Sequence, residues 1–436
     1  MKGSHHGGER AADLTNRGAK PYLRTMRPDS LRSSAATTTP PRPSGAAITA
    51  TLAGLMAFAS LSTDIYLPAL PDMKGEFGRG VELTLSTFLI GFSLGQILWG
   101  PIGDRLGRRG PVLAGLALFM VGSAGCALAD TLPQLLGWRV VQALGACAGP
   151  VLARAMVRDL HSRDKAAQML SILMLIMGVA PLLGPLIGGQ LLRFGSWHLS
   201  FWLLVAVSAA MFVAVLRLPE TLPTERRNQT PIARSFAVYW TLLKDPVVLG
   251  YGIAGGFYYA GIYTYVGGSP FAYIEYYNVD ARAYGLLFSL GIFGQMALGF
   301  ANSRLVMRVG SERMARMGAL LIGAASLATL ATTYTGLGGL PGLVIALLLF
   351  MSGNGIFIAN IVAGAMDAHP ERAGATSALV GAMQFGSGVF ATALLGWMAD
   401  GTPRPMGTLI ATVGLGTLVA TFAVTAWKRR REATMA

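Results

Sequence analysis

The chain has 436 residues, of which 53% are hydrophobic and only 13% are charged, and its mean hydropathy is +0.52. A soluble domain carries about 25% charged residues, so this composition excludes an ordinary soluble fold and indicates a surface that mostly faces lipid. The formal net charge of +14 would suit a nucleic-acid-binding protein. The placement of the basic residues between apolar segments argues against that class.

Residues 1–46 form a polar segment rich in Arg, Ser, Thr and Pro. This composition predicts a disordered cytoplasmic tail. The segment also resembles a transit peptide, and a further alternative is that translation starts later, for example at Met26. We favour a tail or a misplaced start.

Twelve apolar segments follow, each close to the roughly 20 residues that a helix needs to cross a bilayer. Because backbone groups in lipid must be bonded within their own segment, all twelve are predicted to be helices. The predicted spans, numbered 1 to 12, are 47–70, 82–103, 111–130, 133–157, 166–192, 198–218, 246–268, 283–303, 314–334, 340–366, 373–399 and 406–428.

The Lys and Arg residues separate by side of the membrane. The two termini and every second loop hold 28 of them, the remaining loops hold five, and Arg139 and Arg154 lie within span 4. By the positive-inside rule, the side with 28 is cytoplasmic and carries both termini. The basic charge is therefore a topology signal, and no nucleic-acid partner is expected.

A hydrophilic segment lies between spans 6 and 7 and divides the twelve spans equally. The sequences after spans 2 and 8, starting at Gly100 and Gly299, share Gly, Arg and Leu at equal offsets. Two such halves predict an all-α membrane protein with the six-plus-six major facilitator fold. The predicted domains are the tail 1–46, an N-terminal six-helix bundle 47–218, a cytoplasmic linker 219–245, a C-terminal six-helix bundle 246–428 and a tail 429–436.

The loop after span 2 reads Gly100-Pro-Ile-Gly-Asp104-Arg105-Leu-Gly107-Arg108-Arg109-Gly110 and closely resembles motif A of the major facilitator superfamily. The resemblance implies that Asp104 and Arg105 lock the two halves together when the inner gate is closed. Asp159, at the inner end of span 4, is the candidate acid for this lock. An alternative is that the arginines only anchor the topology. The predicted gate residues are Gly100, Asp104, Arg105, Gly107, Arg108, Arg109 and Asp159.

Two further segments resemble superfamily motifs. Span 4 carries Arg139-Val-Val-Gln142-Ala-Leu-Gly145, similar to motif B except at Ala143, where Gly is usual. Span 5 resembles motif C, which marks antiporters, although packing alone could explain its small residues. The motif C positions are Gly178, Pro181, Gly184, Pro185, Gly188 and Gly189.

The most specific resemblance is carried by Asp64-Ile-Tyr-Leu-Pro-Ala-Leu-Pro71 in span 1. It is similar to the bicyclomycin- and chloramphenicol-resistance branch of drug:proton antiporters, and the likeness extends over nearly the whole chain after residue 46. The resemblance implies a proton-coupled multidrug exporter of the bacterial inner membrane that works by alternating access. The alternative function is import or export of a native metabolite by the same fold.

Asp64 is the one acid clearly inside an apolar segment, at a cost of roughly 2.5–3.5 kcal/mol on insertion scales. We predict that it carries the coupled proton. Asp64 and Arg139 both lie about 9 Å below the outer ends of their spans, so they are predicted to pair. That level is above the midplane, so either span 1 extends outward or the site is shifted outward. The alternative is a structural role at the Pro68/Pro71 end of span 1.

A single titrating site suits cargo that is neutral, zwitterionic or singly charged. Buried aromatic and amide residues are the cavity candidates, although helix packing would also explain them. They are Tyr66, Gln96, Gln142, Tyr251, Tyr258, Tyr265, Gln295, Asn354 and Gln384.

An enzyme is not expected, because no His-Glu-x-x-His motif and no nucleotide-binding loop is present and the five histidines lie in the tail or near span ends. We therefore expect no metal and no cofactor, and the proton gradient as the energy source. The expected partners are a small-molecule substrate, protons and membrane lipid, with the protein as a monomer.

Overall fold

The structure, a computed structural model, describes residues 45–161, 163–227 and 232–435, so nearly all of the predicted N-terminal tail lies outside the described residues. Within those ranges the regular structure is helical, without a strand. The α-helices there are α1 Gly45–Asp64, α2 Leu70–Phe77, α3 Leu83–Leu106, α4 Arg109–Ala127, α5 Leu132–Leu160, α6 Arg163–Leu191, α7 His198–Leu216, α8 Ile232–Leu243, α9 Pro246–Pro270, α10 Ala281–Val309, α11 Ser311–Thr335, α12 Gly339–Asp367, α13 Ala373–Met398 and α14 Arg404–Met435.

Ten helical segments of the described chain are long and apolar enough to cross a membrane. They coincide with ten of the predicted spans. Spans 5 and 7 are helical as well: α6 contributes the apolar stretch Ile176–Leu191, and α9 is rich in Gly and Tyr, which lowers its hydropathy. The fold class is therefore confirmed as all-helical with at least ten apolar spans.

The first predicted span differs most from the structure. The α-helix stops at Asp64, and a 3₁₀ turn, Leu67–Ala69, joins it to α2, so that helical structure continues to Phe77. Pro68 and Pro71 lie at the starts of the two following elements, where their missing N–H groups are tolerated. The span thus extends outward beyond its predicted end at residue 70.

The predicted linker is not a plain loop. Its described residues include a 3₁₀ turn, Thr224–Arg226, and α8, which packs against α3, α9 and α13. The described residues all belong to one compact unit, so the division into two six-helix bundles stays a prediction.

Helices α1–α7 and α9–α14 meet through two pairs, α3 with α13 and α6 with α10. Ser86 of α3 lies 2.6 Å from Thr392 of α13, oxygen to oxygen, and Ser93 donates to the carbonyl of Ala382 at 2.8 Å. In the second pair, a Cβ added to Gly189 would lie 2.9 Å from the carbonyl oxygen of Ala281. Small side chains therefore allow the two sets of helices to approach closely.

The two ends of the molecule differ. We call the end with loops 105–110 and 217–227 the basic end, and the end with residues 71–82 and 271–281 the opposite end. At the opposite end, an ion pair of 2.7 Å between Lys74 and Glu275 joins α2 to the π-helical turn Phe271–Tyr276. At the basic end, a cavity of about 340 Å³ separates α3 and α5 from α8 and α13.

Candidate functional site

Asp64 is the last residue of α1 and is only 5% exposed. The hydroxyl of Thr63 donates to its Oδ1 at 2.9 Å. A Cβ added to Gly184 of α6 would lie 2.8 Å from the Cβ of Asp64, and Gly188 faces the carbonyl of Ile65 in the same way. Two glycines of the motif C segment thus let α6 approach the backbone of α1 at the carboxylate.

The helical run that contains Asp64 is 32 residues long, Ala46–Phe77, and Asp64 is its nineteenth residue. Thirteen residues follow it, or about 20 Å at the helical rise. Helical structure therefore continues well beyond the predicted end of span 1. If the termini are cytoplasmic, as predicted, this continuation is the outward extension of span 1 that would place Asp64 near the midplane.

Arg139 is fully buried among groups of three helices. Its Nε donates to the carbonyl of Thr84 at 3.2 Å, and its Nη1 donates to the carbonyl of Ser62 at 3.2 Å and to Oε1 of Gln142 at 2.6 Å. The rings of Tyr66 and Phe88 lie 4.4 and 4.5 Å from the guanidinium carbon. Its Nη2 is buried without a hydrogen-bond partner among the residues that the structure describes. Carbonyls, an amide and aromatic faces together stabilise this cation.

The predicted direct pair of Arg139 with Asp64 is not formed among the described residues. Arg139 does reach the level of Asp64, as predicted, but it bonds the carbonyl of Ser62. Two helical positions differ by about 200° around the axis, so Ser62 and Asp64 face different neighbours. Arg139 lies on the Ser62 side, and Asp64 faces Gly184 of α6.

Two predicted cavity residues belong to the surroundings of Arg139. Gln142 donates to the hydroxyl of Ser123 at 2.8 Å while accepting from Arg139. The hydroxyl of Tyr66 lies 3.3 Å from that of Thr84. Both side chains therefore hold the arginine in place.

At the basic end, Arg108 bonds two acids from different helices. Its Nη1 lies 2.7 Å from Oδ1 of Asp104, and its Nε lies 2.9 Å from Oδ2 of Asp159. Burial alone would lower the pKa of Arg108, but the hydrogen bonds and charges of Asp159 and Asp104 outweigh burial and raise it. The cluster therefore holds α3 and α5 to the start of α4.

Arg105, which was predicted to act with Asp104 in the closed gate, is exposed and makes no ion pair among the described residues. Arg105 follows Asp104 directly, so its side chain leaves the helix about 100° away. Arg108 lies one turn further on and returns to Asp104. The cluster lies within α3–α7, and the cavity separates the two sets of helices at this end. The lock of a closed inner gate therefore stays a prediction.

Glu220 is a part of the cluster that sequence reasoning missed. Its carboxylate accepts the backbone N–H groups of Arg108 at 2.7 Å and Arg109 at 3.2 Å, and those of Thr221 and Leu222 at 3.0 Å. Burial would raise the pKa of Glu220, but these four N–H groups lower it. An acid directly after span 6, at the same end as motif A, was the available signal.

Of the motif A glycines, Gly107 is required by its backbone conformation and by its closeness to Glu220. Its φ is +94°, and an added Cβ would lie 2.6 Å from Oε2 of Glu220. Gly100 and Gly110 have no atom within 4 Å of the corresponding position.

The comparison with known families agrees with this geometry. Residues 52–392 match the family model described as Major Facilitator Superfamily. The chain belongs to the major facilitator superfamily. It is 30% identical to the bicyclomycin resistance protein homolog of Haemophilus influenzae, over 82% of this chain and 90% of that protein. It is 29% identical to multidrug resistance protein D of Escherichia coli, over 83% of this chain and 91% of that protein.

Solved superfamily structures share the fold. A partially occluded inward-open conformation of the xylose transporter XylE from E. coli matches with a TM-score of 0.70 at 14% identity. The match covers 88% of this chain and 97% of that one. The molecule is thus a multi-pass membrane transporter of the superfamily, with antibiotic- and multidrug-resistance relatives.

An aromatic cluster joins α3 to α9 and α13, and so connects the two sets of helices. Phe92 of α3 packs on Phe385 of α13, with ring centroids 4.5 Å apart. Tyr259 and Tyr263, one turn apart on α9, lie 5.5 and 6.2 Å from Phe385. Tyr263 is within electrostatic range of Asp64, and Tyr259 is within range of Arg154. The cluster therefore lies between the carboxylate and the basic end.

The predicted tyrosines occupy another face of α9. Tyr258 donates to the carbonyl of Phe350 at 3.1 Å, and Tyr265 stacks on Phe288 with centroids 5.3 Å apart. Tyr251 packs at Gly364. All three are buried, as residues on a shared face of a packed helix would be. They contact α10 and α12, which agrees with the alternative of helix packing and not with a place in the substrate cavity. Tyr259 and Tyr263 belong to the aromatic cluster instead, and neither was among the predicted cavity residues.

Among the predicted amides, Gln96 lines the basic-end cavity. Asn354 Oδ1 and Gln384 Nε2 are buried without a hydrogen-bond partner. Gln295 is partly buried on α10, where its backbone carbonyl faces Gly355. Of the nine cavity candidates, one therefore lines this cavity in the conformation described.

One stretch of α3, Gly91-Phe-Ser93-Leu-Gly95, matches the Gly-x-Ser-x-Gly pattern of hydrolases. Such a nucleophile sits on a strand-to-helix turn. Ser93 instead lies inside a helix and donates to the carbonyl of Ala382. The match has a packing role here.

Proposed function

We propose that the chain is a proton-coupled exporter of small drug-like molecules that are neutral, zwitterionic or singly charged. It works by alternating access in the bacterial inner membrane, with twelve spans and both termini in the cytoplasm. The observation that carries the proposal is the position of Asp64, which is buried at the break of α1 against Gly184 of the motif C helix.

The mechanism follows from this contact. A charged carboxylate in apolar surroundings with a single hydroxyl donor is costly, so the packed arrangement of α1 and α6 suits a protonated Asp64. Loss of the proton then favours separation of α6 from α1. Because α6 also packs on α10, this movement changes the contact between the two halves. Proton binding and the exchange between conformations are thereby linked.

Topology and cargo have separate support. The distribution of Lys and Arg favours cytoplasmic termini, and helices are present at the positions of spans 5 and 7. The names of the relatives from H. influenzae and E. coli support antibiotics as cargo. A cavity of about 340 Å³ fits the size of small-molecule sites.

The test uses everted membrane vesicles that contain wild type or Asp64→Asn and are energised to make their interior acidic. Addition of bicyclomycin, chloramphenicol or other panel antibiotics should release protons from wild-type vesicles. The substitution should lower the initial rate at least about tenfold, because Asn cannot carry the proton. A pH-sensitive dye measures the rate.

The matched control is Asp130→Asn, which changes an exposed acid at the opposite end. It should leave the rate unchanged. Undiminished proton release in Asp64→Asn, with the protein present at wild-type amounts, contradicts the assigned role of Asp64.

A further inference from the structure

The basic-end cavity contains an arginine that neither the gate nor the proton site uses. Arg154 of α5 lines this cavity together with Gln96 of α3 and Ser377 of α13. We propose that Arg154 binds the carboxylate of an anionic or zwitterionic aromatic cargo at this position. The assignment rests on the proposed export function and names the class of substrate that the cavity selects.

The orientation of Arg154 supports this role. Its Nε donates to the carbonyl of Pro150 at 2.9 Å, one helical turn earlier on α5. Because α5 runs from the opposite end to the basic end, this bond directs the guanidinium toward the centre of the molecule. A side chain that only reached for bulk water would point the other way. Arg154 lies six residues, or about 9 Å, before the end of α5.

Arg154 has no carboxylate within ion-pair distance among the described residues. Asp104, which also lines the cavity, is paired with Arg108, another lining residue that bonds Asp159 as well. Arg158 adds a second positive charge at the exposed rim, and the lining residues of α13 are uncharged. The wall around Arg154 is therefore positive, and a fixed cation in a partly dehydrated cavity favours an anionic group.

Polar and aromatic groups near Arg154 suit the rest of such a molecule. Gln96 and Ser377 supply hydrogen-bonding groups on the facing helices. Tyr259, within electrostatic range of Arg154, belongs to the aromatic cluster at the centre. A guanidinium that binds a carboxylate with two parallel hydrogen bonds would orient a ring toward this cluster.

The experiment measures binding to the full chain purified in detergent, by calorimetry at pH 7. The probes are benzoate, salicylate and 2-naphthoate, each with its neutral primary amide. Wild type should bind the carboxylates more tightly than the amides. Arg154→Gln should raise Kd for the carboxylates at least about tenfold and leave Kd for the amides within about twofold. Arg154→Lys should recover part of the loss, since it keeps the charge and not the planar fork.

The matched control is Arg217→Gln, which removes an exposed arginine at the same end of the molecule but outside the residues that line the cavity. Solvent screens this charge, so its effect on carboxylate binding should stay within about twofold. Equal affinity of wild type for acids and amides overturns the proposal. So does an equal loss of both in Arg154→Gln, or the absence of any carboxylate binding by wild type.

A second measurement needs no variant and covers the case in which Arg154→Gln does not fold. Modification of arginines by phenylglyoxal, followed by peptide mass spectrometry, should be slowed at Arg154 by the carboxylates and not by the amides. Equal modification of Arg154 with acids and amides overturns the assignment. Neither measurement uses a proton gradient, and neither requires a change at Asp64. A failure of proton coupling is therefore distinct from a failure of this site.

Discussion

Single residues decide how the basic end is held together. Glu220 takes four backbone N–H groups, and Arg108 bonds two acids, so these two side chains connect α3, α5 and the segment after α7 to the start of α4. Gly107 provides the positive φ that brings the chain against Glu220. The motif therefore acts here as a clamp within one set of helices.

Glu220→Gln should lower stability at neutral pH by about 1 kcal/mol, a figure discounted for solvent screening of this partly exposed group. Because the pKa of Glu220 is lowered in the folded chain, its contribution is present above the ordinary value near 4.5. It is lost as the pH falls through the lowered pKa. The thermal unfolding midpoint in detergent, followed from pH 7 to pH 3, should show a deficit that is constant above about pH 5 and shrinks below it.

The control for Glu220 is Glu225→Gln, which alters an exposed acid in the nearby 3₁₀ turn. It should leave the unfolding midpoint within error of wild type. A deficit in Glu220→Gln that stays constant with pH would mean that the charge of the carboxylate does not matter.

The sequence indicated which charged residues lie in this cluster better than it indicated which of them form ion pairs with each other. Asp104, Arg108 and Asp159 were all predicted as gate residues, but the sequence did not indicate that Arg108 bonds both acids. From the sequence alone, Arg105 and Arg108 are equally good partners for Asp104. The end of α3 at residue 106 decides which of the two side chains can reach this acid. Glu220 was missed because it becomes important only when α7 brings it beside α4.

At the scale of elements, the break of α1 determines what surrounds Asp64. The helix ends at the carboxylate, and α6 packs against the break through Gly184 and Gly188. If α1 continued as a straight helix, we would expect side chains of its next turn to separate α6 from the backbone at Asp64 and Ile65. The segment that resembles motif C and the proposed proton site, Asp64, therefore form a single contact between two helices.

Gly188→Ala tests this contact, because the added methyl would strike the carbonyl of Ile65. Overpacking of this kind costs about 1–3 kcal/mol, and coupled proton release should fall with it. The thermal unfolding midpoint in detergent and the vesicle assay measure the two effects.

Gly178→Ala is a control in the same motif and the same helix, with open space around its Cβ position. It should match or slightly exceed wild-type stability, since Ala favours a helix over Gly by about 1 kcal/mol. If both alanine variants behave alike, the contact of α6 with Ile65 carries no special role.

The membrane helices were predictable because a long apolar segment is enough to indicate one. Which neighbour each face of a helix contacts was harder to predict. The period of α9 placed Tyr251, Tyr258 and Tyr265 on one face, and the structure agrees. The face of α9 that meets the cavity depends on the rotation of this helix about its axis relative to α12 and α13. Gly and Tyr occur on all sides of α9, so its sequence does not indicate that rotation. The break at Asp64 was similarly hidden, because prolines also occur within continuous membrane helices.

At the scale of the whole molecule, the two sets of helices are joined at the opposite end and separated at the basic end. Lys74 and Glu275 form the ion pair between the sets, and each side chain is about one-third exposed. With cytoplasmic termini, as proposed, the cavity faces the cytoplasm. The structure then represents an inward-facing conformation.

Lys74→Glu should favour opening of the opposite end by placing two acids together. The readout is the rate at which an impermeant maleimide labels a cysteine at Leu395, a buried residue of that end. Since an exposed pair is worth about 0–1 kcal/mol, the rate should rise up to about fivefold. The native Cys126 and Cys147 are buried, which keeps the background low.

The charge-swapped double variant, Lys74→Glu with Glu275→Lys, should return the labelling rate to that of the parent with the cysteine alone. If the single and double variants label equally fast, the pair does not contribute to closure of the opposite end.

The aromatic cluster of Phe92, Tyr259, Tyr263 and Phe385 has a consequence for energy conservation. An exporter that let water connect Asp64 with the cytoplasm and the exterior at once would short-circuit the membrane. The packed rings join α3, α9 and α13 beside the open cavity. On the proposed mechanism they would act as insulation, and a proton would cross only when the helices around Asp64 rearrange.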